Sequence, residues 1–424
     1  MIKKSLIRSY RIAYMALGTL VFLGLLSIIV LRYFVLPHID DYKPKIVQGI
    51  SQVLGQKVVI GNIYANWDGL NPHISVFNVD IYDQQNRVAL SLGHIEGSLS
   101  WTSIPLLSPR LASFSIYQPE LTIRREKDGT VYVAGVSMSG PSKPAFPNWL
   151  LSQAKVNVID ANIVWQDDMR GAPALNLDKL NLQLENPAWD GLRGRHDFSL
   201  RATPSAATSK PVDIRGKVFG KDIGQIEQWH GSVYAKVEGT DIAAWRNWID
   251  YPFDLREGHG AAQLWLNFAD NQIESFTTDV ALDSVLTRLP YNGVENSFKH
   301  IAGRLKWLRQ KDGQEVQGES IKIITSDDLN MRSGKFSVRE RTVAQNKLLE
   351  GDVLLDEIQL ETLHKLTPYF TLPAHVTEVL NETEPLGKLS KLHLTWQSKN
   401  DTLPKYSLAA EFANLSLNAY PKLS

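Results

Sequence analysis

The sequence has no cysteine among its 424 residues, which removes disulfides, thiolate metal sites and a cysteine nucleophile together. Oxidising compartments permit disulfides without requiring them, so this absence is compatible with a cell-envelope protein. Charge of one sign is also missing: Lys plus Arg and Asp plus Glu number 45 each, leaving no basic field to draw in nucleic acid. No H-E-x-x-H and no phosphate-binding lysine loop occur, and the ten histidines are scattered singly, so neither a metal nor a cofactor is expected. Gly135-Val136-Ser137-Met138-Ser139-Gly140 misses the nucleophile elbow by one residue, and Gly258-His259-Gly260 lacks the third glycine of a dinucleotide loop. Asp167-Asp168 and Asp327-Asp328 sit beside strand breaks, where adjacent residues point to opposite faces, and read as turn acids. No catalytic residue emerges, and the chain is not read as an enzyme.

One long apolar run stands out. Ala13 to Leu31 contains no charged residue and would form a helix about 28 Å long, close to the hydrocarbon thickness of a bilayer. Lys3, Lys4, Arg8 and Arg11 precede it without an acidic residue, which places the N-terminus in the cytoplasm and everything after Arg32 outside it. A cleaved signal peptide is the alternative, but the run is too long for an h-region, and Tyr33-Phe34-Val35-Leu36-Pro37 offers no small-x-small cleavage site. A retained single-pass anchor is the expectation.

Asp40 to Leu54 places Tyr42, Ile46, Val47, Ile50, Val53 and Leu54 on one side of a helical wheel, with Gly55 at the stop. This helix should cap the segment C-terminal to it; a helix lying in the membrane surface is its rival. From Lys57 the apolar period becomes two, with turn signals at Asp68-Gly69, Asn71-Pro72 and Asp128-Gly129, so a largely antiparallel sheet is expected. Gly135 to Pro147 is the richest Gly/Ser/Pro stretch and reads as a boundary or crossover; alternation resumes beyond it and continues to Phe412. Short helices are expected at 241–249, 359–366 and 374–380. Roughly twenty strands at 4.8 Å make a ladder about 95 Å long, which an open sheet accommodates by curling or by splitting into two packed domains.

The alternation marks one apolar face. Val58 and Ile60 on one strand, and Phe77, Val79 and Ile81 on the next, share parity and are the candidates for lining it. Periodicity alone is met by an ordinary core packed on another layer. A lipid groove meets it equally, because hiding a sixteen-carbon acyl chain is worth on the order of 13 kcal/mol.

Specific residues then narrow the choice. The order of apolar helix, Pro37 and amphipathic helix, followed by Leu54-Gly55-Gln56-Lys57-Val58-Val59-Ile60-Gly61, Trp67-Asp68-Gly69-Leu70-Asn71-Pro72 and Asp128-Gly129, resembles the start of the AsmA-like proteins of Gram-negative envelopes. Ile163-Val164-Trp165-Gln166-Asp167, Arg195-His196, Trp229-His230-Gly231, Gly258 to Trp265, Gly303-Arg304 and Pro385-Leu386-Gly387 are similar to its YhdP branch. The resemblance implies a mainly β protein of the inner membrane and periplasm: an anchor and an amphipathic helix, then an elongated, curled antiparallel sheet forming a repeating β-groove. That groove would carry phospholipids between inner and outer membranes and support outer-membrane lipid homeostasis. The expected division is a cytoplasmic stub and anchor at 1–36, an AsmA-like helix and membrane-proximal groove at 37–140, a linker at 141–147 and continuing groove at 148–424. Members of that branch are longer, so the chain is expected to be an N-terminal piece, a split gene product, or a protein that pairs end to end with a C-terminal groove segment, with an outer-membrane partner as a further expectation.

The rival is a membrane-anchored structural or assembly factor with a closed β core; an envelope hydrolase ranks behind both. Val79→Asp separates the first two on this reading, since a charge in a lipid-filled trough leaves folding near normal, whereas in a closed core it unfolds the domain.

Overall fold

The computed structural model describes residues 2–54, 56–69, 71–82, 86, 88–103, 110–133, 136–137, 145–187, 194–205, 210–251, 254–288, 295–331, 334–343, 346–366, 369, 374–399 and 405–418. The N-terminal helix α1 (Ile2–Val30) runs through one widened turn (Leu31–Val35) and a tight one (Leu36–His38) into α2 (Ile39–Leu54). Pro37 lacks the N–H that a regular turn needs, and the helix answers by changing its winding instead of ending. Its most apolar stretch has a mean hydropathy of 2.3 and is long enough to cross a membrane. Leu17, Val21, Phe22, Leu23, Leu25, Leu26, Ile29 and Val30 lie 42–64 % exposed along it, with no protein layer over them.

All strands among the described residues join one open, 21-stranded sheet. β1 (Val58–Asp68), β2 (Asn71–Tyr82), β3 (Val88–Leu99) and β4 (Leu111–Tyr117) form an antiparallel meander. β5 (Glu120–Arg125) continues β4 past Gln118-Pro119, and both pair in parallel with β8 (Lys155–Asp167). The short β6 (Val131–Val133) and β7 (Val136–Ser137) branch from β5. From β8 the ladder is antiparallel: β9 (Ala172–Glu185), β10 (Arg195–Pro204), β11 (Val212–Phe219), β12 (His230–Asp241), β13 (Asp254–Ala269) and β14 (Gln272–Arg288) follow in order. β15 (Glu295–Gln310), β16 (Gly313–Thr325), β17 (Asn330–Met331), β18 (Gly334–Val343), β19 (Asn346–Gln359), β20 (Leu386–Lys399) and β21 (Lys405–Ser416) complete it.

Short helices occupy connections: α3 (Ala145–Leu151), α4 (Leu360–Leu366), α5 (Ala374–Thr383) and single-turn helices at Ile223–Gln228 and Ala243–Asn247. The helices expected at 241–249, 359–366 and 374–380 are thus present. Within the Gly/Ser/Pro stretch, residues 145–147 open α3, and 138–144 lie outside the described residues, as does Gly55.

A line of left-handed residues crosses strand interiors: Asn78, Asp160, Lys179, Ser284, Ser320, Lys391 and Asn414 all have φ between 49° and 56°. Each inserts a kink that reverses which parity faces inward. On β9, Leu175 and Leu177 face in before Lys179, whereas Leu180, Leu182 and Leu184 do so after it. On β2 the switch falls at Asn78, which presses against Gly61 of β1; a Cβ at Gly61 would lie 2.9 Å from that of Asn78, so the pairing requires glycine.

This switch corrects the shared parity expected for Phe77, Val79 and Ile81. Val58, Ile60 and Val79, each 3–6 % exposed, join Leu92 in a cluster closed by Val47 of α2, with Ile81 at its margin. Phe77 lies on the opposite face, between Tyr64 and His94, its ring stacked 4.4 Å from the histidine. The cluster is the seat of the α2 cap. Edge strands leave backbone groups unpaired, and α2 covers this one: the Lys43 ammonium donates to the Gly61 carbonyl, and Val58 N donates to Ser51 Oγ at 3.1 Å. Because Val79 sits under this cap, Val79→Asp reports on folding and not on groove occupancy. Urea unfolding of the detergent-solubilised full chain is expected to show a loss on the order of 4 kcal/mol, whereas Phe77→Ser is expected to cost less than half of that.

Candidate functional site

Beyond the cap, register alone builds the feature that distinguishes the two faces. Directly paired residues share a face, so one lateral row can be followed from strand to strand. It begins at Ile63 and passes Val76, Ile95, Ile116, Val158, Leu182, Leu200 and Ile214. It continues through Ala235, Leu264, Thr278, Leu305, Gly318, Phe336, Val353, Leu394 and Leu408. That is seventeen strands, with Thr278 the one polar side chain. Sixteen steps of about 4.8 Å give the row a contour of about 77 Å.

A second row runs beside it, two residues along each strand: Ala65, Ile74, Gly97, Phe114, Val156, Leu184, Phe198 and Gly216, then Val233, Leu266, Phe276, Trp307, Val316, Val338, Gly351, Trp396 and Tyr406. Gly216, Gly318 and Gly351 in these rows lie beneath the rings of their partners, whereas Gly97 faces the Leu111 methyls. A Cβ at Gly351 would fall 1.9 Å from Trp396, and one at Gly216 would fall 2.4 Å from Phe198. The ring spreads over the bare backbone and keeps the surface apolar where no side chain is present.

The residues between the two rows face the other way. Tyr64, Ser75, Glu96, Ser115, Asn157, Gln183, Ser199 and Arg215 lead to Tyr234, Trp265, Thr277, Lys306, Gln317, Ser337, Asp352, Thr395 and Ser407. All but three of these are polar or charged. Ion pairs and hydrogen bonds hold this face. Arg304 grips Asp279 at 2.6 and 2.7 Å, and Arg215 grips Asp213 at 2.8 and 2.7 Å.

Most members of the apolar rows are only half-buried. Helices cover their first strands, where α2 packs on β1 and touches α3, Val47 joins Val76, Ile95 and Ile116 around one cluster, and Trp149 of α3 stands edge-on to Phe114 at 6.1 Å; farther along, the turn at Ala243–Asn247 touches β13 and α4 touches β19 and β20. Beyond β8 no second sheet or helical layer is packed across the rows among the described residues. Neighbouring row members shield one another, as Val158, Leu182 and Leu200 do around Ala161 and Leu180. Asn148, just before β8, donates to Asp222 at 2.8 Å and accepts from Ile223 N at 2.9 Å, both beyond β11. On the opposite margin Arg170 pairs with Asp250, and Trp248 Nε1 donates to the Pro173 carbonyl at 3.1 Å. These connections belong to strands three ladder steps apart, about 14 Å in a flat sheet.

Of the sequence candidates, Val58, Ile60, Val79 and Ile81 sit with the cap, and Phe77 lies on the polar side. The row members from β3 onward were readable as alternation, but their alignment into continuous rows depends on register, which alternation does not specify. At the membrane-proximal margin Trp67, in phase with Ala65 and Ile63 on β1, lies 6.2 Å from Trp101 and carries the Arg32 guanidinium at 5.5 Å. Among the described residues no cluster of side chains suited to a metal ion is present.

Residues 1–424 match the protein family described as YhdP protein. No curated protein and no solved structure matches the chain.

The polar face also yields a pH dependence. Glu315, 4 % exposed, is pushed up by burial, but hydrogen bonds from Gln317, Arg339 and Ser337 outweigh this and hold its carboxyl below its ordinary value of 4.5. The stability it contributes is complete above that ordinary value and is lost as pH falls through the depressed one. Glu315→Gln is expected to cost about 1–3 kcal/mol at pH 7 and to flatten the acid limb of a stability-against-pH curve measured by thermal unfolding.

Proposed function

The chain belongs to the YhdP protein family along its whole length, and from that premise we propose that it is a membrane-anchored carrier that moves phospholipids along the apolar rows of its curled sheet. The observation that supports this most strongly is the pair of rows itself: seventeen strands offer hydrocarbon on one face and polar groups on the other, and beyond β8 no layer among the described residues is spread over the hydrocarbon. A surface of that size left to water would be an aggregation hazard. Acyl chains resolve the problem, each sixteen-carbon chain gaining on the order of 13 kcal/mol by leaving water. The polar phospholipid headgroup projects out of the trough, and transport needs no nucleophile, acid or base, so the reading assigns the chain no catalysis.

On this reading α1 spans the inner membrane with the N-terminus in the cytoplasm, the sheet lies in the periplasm, and lipid passes toward the outer membrane through a partner or a further groove segment. Outer-membrane lipid homeostasis would depend on it. The half-buried rows permit sideways movement because every strand presents similar chemistry at the same height, so no single position traps a chain.

Leu305 and Lys306 provide the test, being adjacent residues on opposite faces of β15. With a fluorescent-acyl phosphatidylethanolamine, Leu305→Asp is expected to reduce binding to the full chain at least fivefold while leaving its circular dichroism unchanged. Lys306→Asp is expected to bind as the parent does. Equal binding by all three proteins would overturn the reading.

A further inference from the structure

The margin where α1 meets the sheet holds a group that the carrier reading does not use. Arg32 is the first charge after the uncharged run ending at Leu31, and the widened turn Leu31–Val35 swings it toward the sheet. Its guanidinium lies 5.9 Å from the Tyr33 ring centre and 5.5 Å from that of Trp67. Rings cover the faces of a guanidinium and leave the N–H groups at its rim to hydrogen-bond. Among the described residues no carboxylate pairs with it, although acids partner arginines repeatedly elsewhere on the sheet.

Position supplies the partner. A cation one residue beyond a membrane-spanning run lies at the level of the lipid phosphates, where tryptophan rings also settle. Trp67 touches Trp101, and in the adjoining strand Ile74 belongs to the second apolar row, two residues from Val76 at the edge of the α2 cluster. A planar fork of N–H donors matches phosphate oxygens in pairs.

We infer that Arg32 binds the phosphate of a phospholipid at the bilayer surface, orienting its acyl chains past Trp67 and Trp101 onto Ile74 and Val76. This rests on the carrier reading above and makes Arg32 the residue that selects phosphate-bearing lipid at the mouth of the rows. The rings hold the guanidinium in place before lipid arrives, so little side-chain freedom is lost on binding.

The test uses the full chain in phosphatidylcholine nanodiscs doped with either phosphatidylglycerol or diacylglycerol, each carrying a photoreactive acyl chain, with crosslinked residues mapped by mass spectrometry. The parent protein is expected to give about tenfold more phosphatidylglycerol than diacylglycerol adduct at Trp67, Trp101 and Ile74. Arg32→Gln is expected to abolish that preference while leaving diacylglycerol adducts and annular adducts on α1 unchanged; Arg32→Lys is expected to retain part of it. An unchanged preference in Arg32→Gln, an equal loss of both lipids, or displacement of the lipid by inorganic phosphate would overturn the inference. Failure of the carrier reading is distinguishable, because it would remove adducts at Leu200 and Leu305 farther along the rows in the parent protein itself.

Discussion

Register is the constraint on which the rest depends. Backbone hydrogen bonds fix which residues lie side by side, and a slip of one residue at any junction would turn a strand's apolar set outward and cut both rows. That the rows persist from Ile63 to Leu408 means every turn and crossover between them conserves parity, and that the kinks fall outside the rows. The parallel junction of β4 with β8 shows how closely this is kept. β6 and β7 branch off β5, which itself stays beside β8, and β8 returns with Val158 beside Ile116 and Val156 beside Phe114.

The line of left-handed residues gives the same sheet two jobs. Buried clusters gather at this line, such as the one under α2 and the one formed by Leu255, Leu282, Val285, Phe298 and Ile323, with residues from both sides of a kink. Away from the line run the two open rows. Asn and Asp tolerate the left-handed region and occur at Asn78, Asp160 and Asn414, but Lys179, Ser284, Ser320 and Lys391 adopt it against their intrinsic preference. The folded sheet therefore imposes the bend, and the sealed clusters supply stability that the open rows cannot.

Much of this was legible in the residues. The apolar run, the amphipathic helix from Asp40, the antiparallel alternation and three of the short helices follow from period, charge and turn chemistry. The kink at Asn78 was not, because a strict two-residue period projects Phe77 onto the face of Val79, and only the positive φ of Asn78 reverses it. Nor could alternation show that Leu182 and Leu200 would meet Ile214, which requires pairings between residues that are distant in sequence. The polar face concealed Glu315 in the same way: its partner Arg339 is twenty-four residues away and reaches it only once β16 and β18 pair.

The central claim is that the two rows hold lipid in the purified protein. Native mass spectrometry of the full chain, released gently from detergent, measures this directly by counting bound molecules. Several phospholipids per folded chain would be the result the account predicts, since a contour of about 77 Å exceeds what one lipid can cover. A cooperatively folded monomer that carries none would contradict it.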